Sequence, residues 1–285
     1  MKLAELQEQV TASLTAIIKS GTSPWQSGRR NEYPQNGITG RLFTGFNPFI
    51  LMAASHDKGY SSNLWLTYNQ IKKAGGMLVG TKEGRKAGAY ILQPISFDAN
   101  KREATDVVRM VTLFKGVARW NVEQTDLKLR PEVPAGDALT MSDNLAFLRS
   151  VGATVDETAE CSCYIPQDDR ILITRSDLWD DVSRHFSTCR HELTHWTGGK
   201  ARLNRPQLTG DKLGYAFEEL VAEIGAAMQC ARANVTYALD NHASYVASWL
   251  EVLAGDKTAI FRAAALATKA VAFIDSKVKT EIENG

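Results

Sequence analysis

The segment Arg190-His191-Glu192-Leu193-Thr194-His195-Trp196 carries two imidazoles four residues apart, with a carboxylate directly after the first. On a helix, residues four apart share one face. His191 and His195 can therefore aim ring nitrogens at one divalent ion while Glu192, beside them, takes a proton from an attacking water. This is the chemistry of metal-dependent hydrolysis, and it requires a helix to hold it. Upstream, Leu178, Val182 and Phe186 recur near a 3.6 period between Asp177 and Ser187, and Thr197, Gly198 and Gly199 supply a stop after His195.

A catalytic zinc takes three protein ligands and keeps a fourth position open, whereas a closed structural zinc takes four. The third donor is expected on a second helix, YAFEELVAEIGAAMQC, from Tyr215 to Cys230. Glu219 is the expected ligand. Glu223, one turn on, is expected to accept a hydrogen bond from a ligating histidine and so set its tautomer. Phe217, Leu220, Ile224 and Ala227 can pack elsewhere on that helix, while Ala222, Gly225 and Ala226 allow close helix approach. Zn2+ is the expected cofactor, with another divalent ion such as Mn2+ as the alternative. Ahead of these helices, residues 162–174 read as a hairpin of short strands, in which Arg170 to Thr174 could pair with an extended substrate backbone.

A second kind of chemistry is written in the N-terminal half. Aromatic rings and basic side chains are interleaved there, and single-stranded nucleic acid is held by cations along its phosphates and by ring faces on which bases stack. The candidate contacts are Trp25, Arg29, Arg30, Tyr33, Arg41, Phe43 and Tyr68. Lys72, Lys73, Lys82, Arg85 and Lys86 form a further basic group.

The elements that must position these residues divide at a seam. Residues 1 to 125 hold 16 Lys and Arg against 9 Asp and Glu, net +7, while the remainder holds 17 against 23, net −6, so the halves face different partners. Between Asn121 and Leu139 the chain reads NVEQTDLKLRPEVPAGDAL, which has little periodicity. Three parts follow: a domain over 1–125, a linker over 126–140 and a second domain over 141–285. In the first, an amphipathic helix over residues 3–18 precedes helices near 48–55 and 68–74 and strands near 65–67, 77–79, 89–95 and 107–114. In the second, helices near 237–253 and 256–279 follow the metal helices, and His242 and Tyr245 could approach the cleft. No stretch approaches the ~18 uncharged apolar residues of a membrane span. Glu5 and Glu8 interrupt the region where a signal peptide needs an apolar run, so a cytoplasmic protein without a membrane partner is expected. Cys161, Cys163, Cys189 and Cys230 form no C-x-x-C pair and read as reduced thiols.

Ordered blocks along the chain carry a resemblance. They are SPW at 23–25, TGRLFTGFN at 39–47, WLTYNQIKKAGG at 65–76 and WNVEQTD at 120–126, then HELTHWTG at 191–198, RLNR at 202–205, YAFEELVAEIGAA at 215–227 and ASYVASWL at 243–250. Together they resemble the ArdC-type antirestriction proteins of conjugative plasmids, which are related to the N-terminal part of plasmid TraC primases and to zincin-like metallopeptidase domains. The resemblance implies an α+β fold: a small mixed domain that binds single-stranded DNA, then a mostly helical zincin-like domain with a short sheet. It implies protection of incoming DNA from host restriction. It also implies metal ligation by His191, His195 and Glu219, Glu192 as general base, and a protein substrate that the sequence does not identify. The alternative reading is a non-catalytic protein that coats single-stranded DNA and keeps a structural or vestigial metal site.

Overall fold

The computed structural model describes residues 3–19, 33–98, 110–130, 140–206, 211–237, 243–256 and 258–284. Trp25, Arg29, Arg30 and His242, and the side chain of Tyr245, lie outside the described residues. The architecture is mixed α and β with two small sheets, and the chain divides into two compact units. One unit comprises Met1–Ser13 and Pro34–Pro131, and the other comprises Leu14–Tyr33 and Glu132–Gly285. The chain opens with helix α1 (Leu3–Lys19).

In the first unit, helix α2 (Asn47–Lys58) begins with a proline in its first turn, where the missing N–H costs nothing. It ends at Gly59, whose φ of 69° suits a residue without a side chain. Helix α3 (Tyr68–Lys73) is opened by a capping box in which Thr67 and Gln70 satisfy each other's backbone N–H groups. The sheet runs in the order β1 (Gln35–Asn36), β2 (Leu64–Leu66), β4 (Met110–Asn121), β3 (Ala89–Asp98). Its β1–β2 pair is parallel and its other two pairs are antiparallel. Leu64, Leu66, Ile71 and Val122 form a core against which Leu127 and Leu129 pack.

Two expectations change here. The strand expected at Met77–Val79 reduces to a single bridge between Leu78 and Thr125, because that stretch pairs only with the irregular segment after β4. The linker expected over 126–140 does not begin at 126. Asp126 accepts from the Met77 N–H at 2.8 Å, and Leu127 and Leu129 pack against the core, so this unit continues through Leu129.

In the second unit, helix α4 (Met141–Ser150) starts with another capping box, between Thr140 and Asp143. A three-stranded sheet follows in the order β5 (Thr154–Thr158), β7 (Arg170–Thr174), β6 (Cys163–Ile165). The strand considered for substrate pairing, β7, is thus central: β5 pairs with it in parallel and β6 antiparallel, so its backbone groups are taken and the edge strands are β5 and β6. Asp181 caps helix α5 (Val182–Thr197) and Asp211 caps helix α6 (Lys212–Arg232). Helices α7 (Ala243–Gly255) and α8 (Ala259–Asn284) complete the unit. Leu148, Ile171, Ile173, Cys189, Leu193 and Trp196 tie α4, the sheet and α5 into one core. No described helix is long and apolar enough to cross a membrane.

Candidate metal centre and nucleic-acid surface

Helices α5 and α6 lie unusually close at one point, and a glycine is the reason. A side chain on Gly225 would bring its Cβ to 2.6 Å from Thr194 Cγ2, so only glycine admits this approach. The seam is locked by Gln229, whose amide donates to Thr194 Oγ1 at 3.1 Å and to the Arg190 carbonyl at 3.3 Å. This contact brings Glu219 to the two histidines of α5.

One donor atom from each of His191, His195 and Glu219 lies within 4.8 Å of the others, and all three residues are buried or nearly so. The two Nε2 atoms are 3.1 Å apart. Glu219 Oε1 is 3.3 Å from His195 Nε2, and Glu219 Oε2 is 3.4 Å from His191 Nε2. Ligands at about 2.1 Å in a tetrahedron are separated by about 3.4 Å, so the spacing fits one small divalent ion. The electrostatics agree. Burial alone would depress the His195 pKa, but its hydrogen bonds to Glu218 and Glu219 and the charges of Glu219 and Glu192 outweigh it and push the pKa up to about 10. His191 is likewise raised against its burial, chiefly by Glu219. Conversely, the two rings hold the Glu219 carboxyl far below the usual carboxylate range despite its burial. The site is built to hold positive charge, and nitrogen and oxygen donors of this kind suit zinc or a similar ion.

Glu192 follows His191 on α5 and is buried, with 8% of its surface exposed. The histidine's outer partner differs from expectation. Glu218, rather than Glu223, faces His195, with Nδ1 to Oε1 at 3.3 Å. Glu223 accepts instead from the buried Tyr237 hydroxyl, because one full turn carries it past the ring. Helical spacing from Glu219 points to the wrong neighbour. Arg205, which donates to Glu218 at 2.9 Å, comes from a loop with no periodicity from which to read that contact.

The first unit presents a different surface. Tyr68 and Tyr90 are exposed, 42% and 43%. Tyr90 lies opposite Ala118 in the β3–β4 register, so Tyr90, Ala118 and Trp120 share one sheet face, and the Trp120 ring meets Tyr68 at 5.8 Å. Lys72 Nζ stands 4.9 Å over the Tyr68 ring. The exposed basic loop with Lys82, Arg85 and Lys86 is pinned to this face. Trp120 Nε1 donates to the Arg85 carbonyl at 3.1 Å, and Gln124 donates to the Gly84 and Lys86 carbonyls. Arg41 and Lys73 are exposed and Phe43 is half-buried. Tyr33, by contrast, groups with the second unit, where burial pushes its hydroxyl pKa up and Arg232 partly offsets that rise. Trp120 and Tyr90 are not among the sequence candidates, since only strand register places them beside Tyr68.

Comparison with known proteins places the two units in classes. Residues 4–119 match the N-terminal domain of anti-restriction factor ArdC, and residues 143–266 match a zincin-like metallopeptidase domain. The protein is thus an ArdC-type N-terminal domain joined to a zincin-like domain. Its whole length resembles the antirestriction ArdC protein of plasmid R388. The metal-free crystal structure of that protein is 31% identical, with a TM-score of 0.78 over 98% of this chain and 99% of that one. The Mn(II)-bound structure matches with a TM-score of 0.76 at 30% identity over 97% of this chain and 98% of that one. An uncharacterized protein y4eC of Sinorhizobium fredii is 30% identical over 92% of this chain and 89% of its own length. Two TraC DNA primases of Escherichia coli are each 31% identical over 92% and 94% of this chain, which spans only 19% and 27% of their lengths. The chain belongs to the ArdC antirestriction family.

Proposed function

We propose that this chain protects incoming plasmid DNA from host restriction in the cytoplasm, binding single-stranded DNA through its first unit and carrying a zinc-dependent peptidase site in its second. The observation that carries the peptidase reading is the convergence of His191, His195 and Glu219 with Glu192 alongside. Three protein donors are the number a catalytic site uses, and Glu192, next to His191 on α5, is the carboxylate that would serve as base. His191, His195 and Glu219 would hold the ion, which when bound supplies Lewis-acid polarisation and a more acidic water. Glu192 takes the proton from the attacking water on its carboxylate and delivers it to the leaving amine. The Tyr68, Tyr90 and Trp120 rings, with Lys72 and the 82–86 loop, support DNA binding by stacking and phosphate neutralisation.

The test is plasmid transfer into a restricting host with wild-type chain and Glu192→Ala, alongside proteolysis of host proteins in vitro. Loss of protection by the variant is the expected result. Full protection with an intact, metal-loaded Glu192→Ala protein would assign the effect to DNA coating and leave the metal site non-catalytic.

A further inference from the structure

The loop that follows α5 returns to the metal centre through one side chain. Arg205 is buried, and its guanidinium lies against Glu218, with Nε 2.9 Å from Oε2 and Nη2 2.5 Å from Oε1. Two more of its N–H groups are used as well. Nη1 donates to Thr197 Oγ1 at 2.8 Å and Nη2 to the Thr194 carbonyl at 2.7 Å, which ties the loop to the last turn of α5. Glu218 has no exposed surface, and its Oε1 also faces His195 Nδ1 at 3.3 Å.

The geometry points to Arg205 as a positioning residue that acts through Glu218: it locks the carboxylate that receives the His195 Nδ1 proton, leaving Nε2 as the nitrogen turned to the metal. This inference rests on the reading of His191, His195 and Glu219 as ligands. Adjacent glutamates on α6 are thereby given different tasks, since they point about 100° apart on a helix. Glu219 turns to the Nε2 atoms. Glu218 is held on the far side of the ring by a rigid two-pronged donor and is kept from competing as a ligand. A lysine would fill the charge but not the fork.

Gly198 provides an independent handle. A Cβ there would stand 2.8 Å from Arg205 Nη2, 2.9 Å from Cζ and 3.0 Å from the His195 carbonyl oxygen, so Gly198→Ala crowds the guanidinium most closely while leaving every ionisable group in the chain.

The experiment titrates the full-length, metal-free chain with Mn2+, following free Mn2+ by its electron paramagnetic resonance signal, with circular dichroism as the control for folding. Arg205→Ala, Arg205→Lys and Gly198→Ala are expected to weaken binding about 10- to 100-fold, the usual cost of disturbing the outer partner of a ligand. Glu218→Gln should weaken it similarly. The double variant Arg205→Ala/Glu218→Gln should bind within about threefold of Glu218→Gln alone, because two residues acting through one path are not additive. Wild-type affinity in folded Arg205→Lys and Gly198→Ala would overturn the inference, as would losses that multiply in the double variant. A wild type that binds no Mn2+, or a His191→Ala protein that binds it fully, would instead overturn the ligand assignment and is read separately. Should Arg205→Ala fail to fold, Arg205→Lys and Gly198→Ala decide the matter.

Discussion

The metal centre and the aromatic face of the first unit are assembled in opposite ways. At the centre, the imidazoles and carboxylates of α5 and α6 are buried and hold one another: His195 meets Glu218 and Glu219, Glu218 meets Arg205, and Glu223 meets Tyr237. On the aromatic face, Tyr68, Tyr90, Lys72, Lys82, Arg85 and Lys86 stay exposed, and the strongest ties run through backbone carbonyls rather than between the side chains. A buried polar network loses much when any member is removed, because its neighbours are left unsatisfied in a low dielectric. A surface that binds by stacking and charge loses its contacts one by one. The two regions should therefore answer to mutation differently.

The largest effect belongs to the centre. His191→Ala, His195→Ala and Glu219→Ala should each lose the ion, by more than the 10- to 100-fold that an outer partner costs, as metal analysis of the purified proteins will measure. Their losses should not add, since one missing donor already dissolves the site. If two of the three single variants kept full occupancy, the contrast between the regions would break at its stronger end. Next comes Glu192→Ala, which removes a base and no donor. Metal content should stay at the wild-type level while peptidase activity falls by roughly 10²- to 10⁴-fold. A parallel loss of metal would make Glu192 part of the coordination and require a different base.

The same contrast explains what can be read from the chain. His191 and His195 are spaced by the helix itself, so a period of about 3.6 residues is enough to put them on one face of α5, which Glu219 meets from α6. The small residues of α6 announce the close approach that Gly225 makes, although its contact with Thr194 is a tertiary fact. Glu218 escapes because helical spacing ranks Glu223 beside Glu219 equally well. The choice between them is made by Arg205, which arrives from an irregular loop. Trp120 and Tyr90 escape for a related reason: they meet Tyr68 only through the register of β3 on β4 and the turn into α3. The division into two parts is legible from periodicity and the change in net charge, while the α+β class comes with the family resemblance. The extent of the first unit is not legible at residues 126–130, where two leucines count for more than the loop-like composition around them.

A smaller effect tests the stacking face. Tyr68→Ala and Trp120→Ala should each weaken binding of a short single-stranded oligonucleotide by about 1–3 kcal/mol, the range for one base on one ring, with little preference for sequence. Fluorescence anisotropy of a labelled oligonucleotide measures it. Trp120 is expected to cost more than Tyr68, since its indole also pins the Arg85 carbonyl and with it the basic loop. Unchanged affinity in both variants would remove the aromatic face from the DNA path.

The smallest expected effect is the most diagnostic of independent contacts. Lys82 and Lys86 are exposed on the same loop, and Lys86 is partly occupied by Glu83 at 2.6 Å. An exposed pair of this kind contributes little, so a phosphate can replace Glu83 at small cost. Removing one phosphate contact should lower the slope of log affinity against log salt by about 0.7 for a single strand. Lys82→Ala should show that full decrement, and Lys86→Ala somewhat less because Glu83 already competes for it. The double variant should then show the sum of the two decrements. A double variant whose slope change greatly exceeded that sum would mean that the loop binds as a coupled unit, and the surface would then resemble the metal centre more than it differs from it.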